Sequence, residues 1–124
     1  MGKFVITTNE KGSRFVLKAG NGEIIAVSQM YASLDGCING VASVKSNAPE
    51  ANVEDQTVEG FEKQPCPKFE VYTDKAGEFR FRLLAKNGQN IAASEGYSAK
   101  RSCLNGIESV RKNAADGEVV QVEE

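Results

Sequence analysis

Residues 3–8 (KFVITT) and 23–28 (EIIAVS) are short runs rich in apolar and β-branched residues, and in 14–18 (RFVLK) Phe15 and Leu17 alternate with Arg14, Val16 and Lys18. Such runs predict three short strands, parted by Asn9-Glu10-Lys11-Gly12 and Asn21-Gly22, both turn signals. The period then changes. Cys37, Ile38, Val41 and Val44 fall at i, i+1, i+4 and i+7, which fits one face of a helix and fits a strand badly. Alternation returns at 52–54. The whole order then repeats: strands at 68–73, 78–84 and 89–94, a helix carrying Cys103, Leu104, Ile107 and Val110, and a last strand at 118–122. Each copy reads β-β-β-α-β.

The copies are related by an offset of 65 as far as Gly12/Gly77 and of 66 from Arg14/Arg80 onward. One extra residue therefore sits at the first hairpin of the second copy, where a length change costs least. Similarity is densest in YASLDGCINGVASVKSNA at 31–48 and YSAKRSCLNGIESVRKNA at 97–114. An internal duplication follows. The expected organisation is one pseudo-symmetric domain over 1–124, with repeat 1 at 1–55, an acidic, proline-containing linker at 56–67 and repeat 2 at 68–122. Halves of this size lie near the lower limit for independent folding, so they are expected to complete one another. The second repeat alone should then fold only as a homodimer. Ser33 and Ser98 are the expected helix N-caps. Pro49 is expected to end the first helix by pushing Ala48 out of helical space. Gly40 and Gly106 fall on or near the core face, so close approach of the helix backbone to the sheet or to the other helix is expected there, with a ligand against the backbone as the alternative.

Composition narrows the function classes. Residues 1–53 hold five Lys/Arg against four Asp/Glu, residues 68–122 nine against seven, and the linker is acidic. Near-neutral repeats argue against a broad footprint for duplex nucleic acid. There is no histidine, and three cysteines (Cys37, Cys66, Cys103) form no Cys-x-x-Cys pair. No metal site, Cys-His nucleophile or cofactor is expected, and no enzyme activity. Cys37 and Cys103 read as core residues, and Cys66, between Pro65 and Pro67, as an exposed thiol. No apolar run is long enough to span a bilayer. No signal segment is visible at the start, and a cytoplasmic protein is expected.

The patterns KFEVYTDKAGEFRFRL and NGQNIAASEGYSAKRSCLNGIESVRKNA resemble the YegP-like family of uncharacterised small proteins, and the tandem arrangement resembles its duplicated subfamily. The second copy carries the pattern more fully. The first copy has Met30-Tyr31-Ala32 for Gly96-Tyr97-Ser98, and Leu34-Asp35-Gly36 for Lys100-Arg101-Ser102. The resemblance implies an α+β fold in which two β-β-β-α-β units, related by a pseudo-twofold, build one antiparallel-rich sheet with two helices packed on one face. It implies no established activity.

Helices on one side leave the other side of the sheet uncovered. Strand alternation puts Arg14, Lys18, Glu70, Tyr72, Arg80 and Arg82 on that side, with Val5 and Val16 among them. A non-enzymatic interaction module using this face is the favoured function, with an unidentified protein partner. The alternative is weak binding of single-stranded nucleic acid, arginines on phosphates and Tyr72 stacking on bases. The competing structural reading is a solvated face with cross-strand pairs, such as Glu70 with Arg80 or Arg82. A third reading is a small-anion or nucleotide site at the turn entering the second helix, from Gly96, Ser98 and Lys100. Asn39, Ser43, Asn105 and Ser109 recur in both copies on the polar side of the helices, where they would pair the helices or form a recognition stripe. The full chain is expected to be a monomer with pseudo-dimeric internal symmetry, and no membrane contact is expected.

Overall fold

The computed structural model describes residues 2–123. The first copy forms β1 (Lys3–Asn9), β2 (Gly12–Lys18), β3 (Ile24–Val27), α1 (Leu34–Asn47), a 3-10 turn (Ala48–Glu50) and β4 (Asn52–Asp55). The second forms β5 (Lys68–Thr73), β6 (Phe79–Leu84), β7 (Asn90–Ala93), α2 (Lys100–Ala115) and β8 (Glu118–Glu123). All eight strands make one mixed sheet in the order β4-β5-β6-β7-β3-β2-β1-β8. The hairpins are antiparallel. The centre is a short β3–β7 contact through Val27 and Ala93. The outermost pairs, β4 on β5 and β8 on β1, are parallel.

This order reveals an exchange. The last strand of each copy pairs with the first strand of the other, so neither copy's sheet is complete without its partner copy. Both helices pack on one face, over a core in which Phe4, Phe15, Leu17, Phe69, Phe81 and Leu83 are fully buried. The aromatic pairs repeat: Phe4 meets Phe15 edge-on at 5.8 Å and Phe69 meets Phe81 at 5.8 Å. Burial on this scale is the main stabilising term, about 1.5–3 kcal/mol for each large side chain.

The shared tyrosine and glycine of the long motif belong to one device. Tyr31 stacks on Phe15 and Tyr97 on Phe81, with centroids at 6.4 and 6.5 Å. Each hydroxyl reaches beneath a helix at its glycine. A Cβ at Gly40 would lie 2.4 Å from Tyr31 Oη, and one at Gly106 would lie 2.6 Å from Tyr97 Oη. The nearest neighbour of each glycine is thus a tyrosine ring inserted between helix and sheet, with the sheet residues Phe15 and Phe81 next, and not the other helix.

Two helix-end expectations change. Ser33 caps α1, accepting from the Gly36 N–H at 3.1 Å. In α2 the cap position is Ala99, which has no side-chain hydrogen bond, and Ser98 lies one residue too early. Ala48, before Pro49, keeps helical geometry (φ −58, ψ −43), and the chain leaves helical space only at Ala51. Proline at the start of a 3-10 turn needs no N–H, which makes this arrangement tolerable.

Candidate functional site

The face opposite the helices can be followed strand by strand along one register row. From one edge to the other it reads Val120, Val5, Val16, Val27, Ala93, Arg82, Glu70, Glu54. Pseudo-twofold mates in this row are Val5 with Glu70, Val16 with Arg82, and Val120 with Glu54. The backbone repeats and the chemistry does not. One half of the face is valine; the other is ionic.

The ionic half is internally satisfied. Arg82 Nε donates to Glu70 Oε1 at 2.6 Å, and its guanidinium lies 4.6 Å from the centre of the Tyr72 ring. Lys68 Nζ bridges Glu54 at 2.8 Å and Glu70 at 3.2 Å. Glu54 is 2% exposed and also accepts from Gln56 Nε2 and the Gln64 N–H. Burial alone would raise its pKa; the bonds from Lys68, Gln56 and Gln64 outweigh that and hold it down at about 2. Arg80 Nε donates to Asp74 at 2.6 Å, and this hydrogen bond keeps the Asp74 carboxyl below the usual range. Asp74 stands where the first copy has Asn9. A neutral amide there gives Arg14 no equivalent partner, and Arg14 is exposed.

These contacts decide how the expected residues stand. Glu70, Tyr72, Arg80 and Arg82 do lie together on the open face; Glu70 and Arg82 make the cross-strand pair that competes with phosphate binding, Tyr72 lies against Arg82, and Arg80 is held by Asp74 of the turn. Arg14 and Lys18 lie on the valine half, and among the described residues neither is ion-paired. Beside β8, a groove of about 360 Å³ has Val5, Val120 and Val122 in its lining, with Lys3 and Lys18 also lining it. Strand alternation puts Val5 on this face; Lys3 follows from the same alternation, and Val120 joins them only once β8 is paired with β1. The register with β8, which creates the groove, follows from the strand exchange.

The turn before α2 offers an anion little. Lys100 is ion-paired with Asp55, and a Cβ on Gly96 would meet Glu78 Oε1 at 2.4 Å, so a carboxylate already stands beside it. Ser98 is exposed and caps nothing. On the helices, Ser43 accepts from Asn47 Nδ2 at both its carbonyl (2.8 Å) and its Oγ (3.0 Å). Ser109 and Asn113 repeat this at 2.8 and 3.1 Å. The shared serines hold buried asparagines within their own helix instead of pairing the two helices. Asn39 and Asn105 are exposed, and Asn105 lines a depression against Asn21 of the other copy's hairpin.

Nucleophilic chemistry has no foothold in the cysteines of the core. Burial raises the Cys37 thiol and pushes Cys103 up to about 11, so both are thiols at neutral pH. Tyr31 and Tyr97 are likewise raised by burial. No group of three or more His, Cys, Asp or Glu that could hold a metal ion occurs among the described residues. No helix among them is long and apolar enough to cross a membrane.

A family model described as a domain of unknown function, DUF1508, matches twice, at residues 9–55 and 74–121. A UPF0339 protein of Stutzerimonas stutzeri is 73% identical over 48 residues, 39% of this chain and 43% of its own, so the match spans less than half of that relative. One from Treponema denticola is 62% identical over 55 residues, 44% of this chain but 95% of its own length. The UPF0339 protein YegP of Yersinia pestis is 40% identical over 114 residues, covering 91% of this chain and 88% of its own. Among solved structures, the protein of unknown function yegP from Escherichia coli superposes with a TM-score of 0.79 at 35% identity, covering 98% of this chain and 93% of its own.

Proposed function

Since the chain belongs to the DUF1508 family, as a tandem YegP-like member with two copies of the domain, and that family carries no assigned activity, we propose that it is a non-catalytic binding module acting through the valine half of its open sheet face. One observation carries the reading. Along a single register row the half of the sheet built on β5 and β6 spends its side chains on internal ion pairs, while the half built on β1 and β2 keeps Val5, Val16 and Val120 of the exchanged β8 half-buried with Lys3, Lys18 and Arg14 around them. An apolar strip rimmed by uncompensated cations suits a protein partner presenting apolar and acidic side chains. The free cysteines fit a reducing compartment, which supports a cytoplasmic setting for the module.

The test uses the full chain as bait against a dialysed native lysate. A partner retained by the wild type should be lost by Val5→Glu/Val16→Arg, which installs the second copy's residues in the first. It should be kept by Arg80→Ala/Arg82→Ala. Retention by neither the wild type nor the Arg variant, or equal retention by all three, overturns the reading. The nucleic-acid alternative rests on Arg80 and Arg82, whose pairing with Asp74 and Glu70 weighs against it.

A further inference from the structure

We propose that the groove beside β8 is a binding site for a small amphiphilic carboxylate, with its anionic head between Lys3 and Lys18 and its aliphatic tail on Val5, Val120 and Val122. The site deepens the reading of the valine half as the binding surface, and it rests on that reading for which half of the face is open. At about 360 Å³ the groove falls within the range of small-ligand sites, ~300–1,000 Å³. Its apolar floor is continuous across β8 and β1, because Val120 is in register with Val5.

The charge arrangement is the stronger indication. Lys3 and Lys18 stand directly opposite each other across the antiparallel β1–β2 pair. Like charges in that position repel and destabilise the sheet. Neither lysine is ion-paired among the described residues. Glu118 is in register with Lys3 on its other side, but it is exposed and makes no ion pair there, leaving two ammonium groups against one carboxylate. A bound carboxylate between the lysines relieves the repulsion with two charge-assisted hydrogen bonds.

The second copy serves as an internal control on the same backbone. There Lys68 replaces Lys3 but faces Leu84 in place of Lys18, and Glu54 and Glu70 neutralise it from the positions of Val120 and Val5. The chain can thus satisfy this lysine with its own acids. In the first copy it does not, and lays valine in their place. That pairing of apolar floor with unneutralised cations specifies the ligand class: an anion alone would not need the valines, and a neutral chain would not need the lysines.

Octanoate is the probe, titrated into the full chain with methyl groups observed by NMR; octanamide tests the charge and acetate tests the tail. Saturable shifts are expected at Val5, Val120 and Val122, with the core methyls of Val44 and Val110 unmoved. Octanamide and acetate should each bind at least tenfold more weakly than octanoate. Lys3→Gln/Lys18→Leu should weaken octanoate at least tenfold. Val5→Glu, which gives Lys3 the partner that Lys68 has, should do the same, and retained amide dispersion checks the fold of both variants. Shifts that do not saturate, octanamide or acetate binding equal to octanoate, or unchanged affinity in both variants would overturn the site. If octanoate fails while a protein partner is still lost on Val5→Glu/Val16→Arg, only the ligand assignment falls. If octanoate saturates and no partner is retained, the groove stands and the protein-docking reading falls.

Discussion

The most consequential single residue on the open face is Glu54, because it fastens an edge strand contributed by one copy to the first strand of the other. Its carboxylate meets Lys68 of β5, Gln56 of its own chain segment, and the Gln64 N–H of the linker. Its folded pKa near 2 lies below the ordinary value of 4.5, so the unfolded state binds the extra proton first. The resulting stabilisation is complete above about pH 4.5 and is lost as pH falls toward 2. The loss is on the order of 1–3 kcal/mol. Chemical denaturation at a series of pH values should show this slope in the wild type and a shallower one in Glu54→Gln. Asp55, lowered by Lys100 and Thr57 against the opposing effect of burial, and Asp74, lowered by Arg80, keep the variant's slope from vanishing. An unchanged slope in Glu54→Gln would mean that this contact does not hold the edge.

Among the elements, α2 is the one whose start is under-supported. Ala99 has extended geometry suited to a cap (φ −126, ψ 140) but no side-chain oxygen to offer the first N–H groups. Lys100 then puts a cation in the first turn, where the helix dipole disfavours it. Asp55 offsets that charge by pairing with it. Ala99→Ser should therefore stabilise the fold by about 0.5–2 kcal/mol, read as a higher urea midpoint with an unchanged denaturant slope. No gain would show that the neighbouring Asp55 already meets the need. This end also marks where sequence reasoning stops. Period-two and period-3.6 patterns placed every strand and both helices, because burial imposes those patterns directly on the residues. They also put Glu70 and Arg82 on the same face. They could not show that Ser98 misses the cap by one residue, since a serine signals a cap only once the first helical residue is known. Nor could they show the valine row, because Val120 and Val5 are 115 positions apart and meet only through the strand exchange.

At the scale of the whole molecule, that exchange determines what half of the chain can do. In residues 66–123 alone, β8 has lost β1, its parallel neighbour, and β5 has lost β4. Folding such a half as a monomer would require β8 to pair with β5 of its own copy, a pairing absent from the full chain. It would also leave β7 without β3 and strip α2 of its contacts with β2 and β3. Two identical halves meet every one of these needs at once. Each lends β8 to the other's β5, β7 meets β7, and the sheet closes about a true twofold axis where the full chain has an approximate one. The Treponema denticola relative, matched over 95% of its length by a single copy, shows that the family includes chains of this size. Residues 66–123 should therefore sediment as a folded homodimer and unfold at a midpoint that rises with protein concentration. A stable folded monomer, with a concentration-independent midpoint, would show that β8 can return to its own copy. The exchange would then be a consequence of tandem linkage, not a requirement of the fold. The dimer would carry a further consequence for the open face. Both of its halves would bear the Glu70–Arg82 pairing and neither the valine strip, so it should bind neither octanoate nor the partner of the full chain.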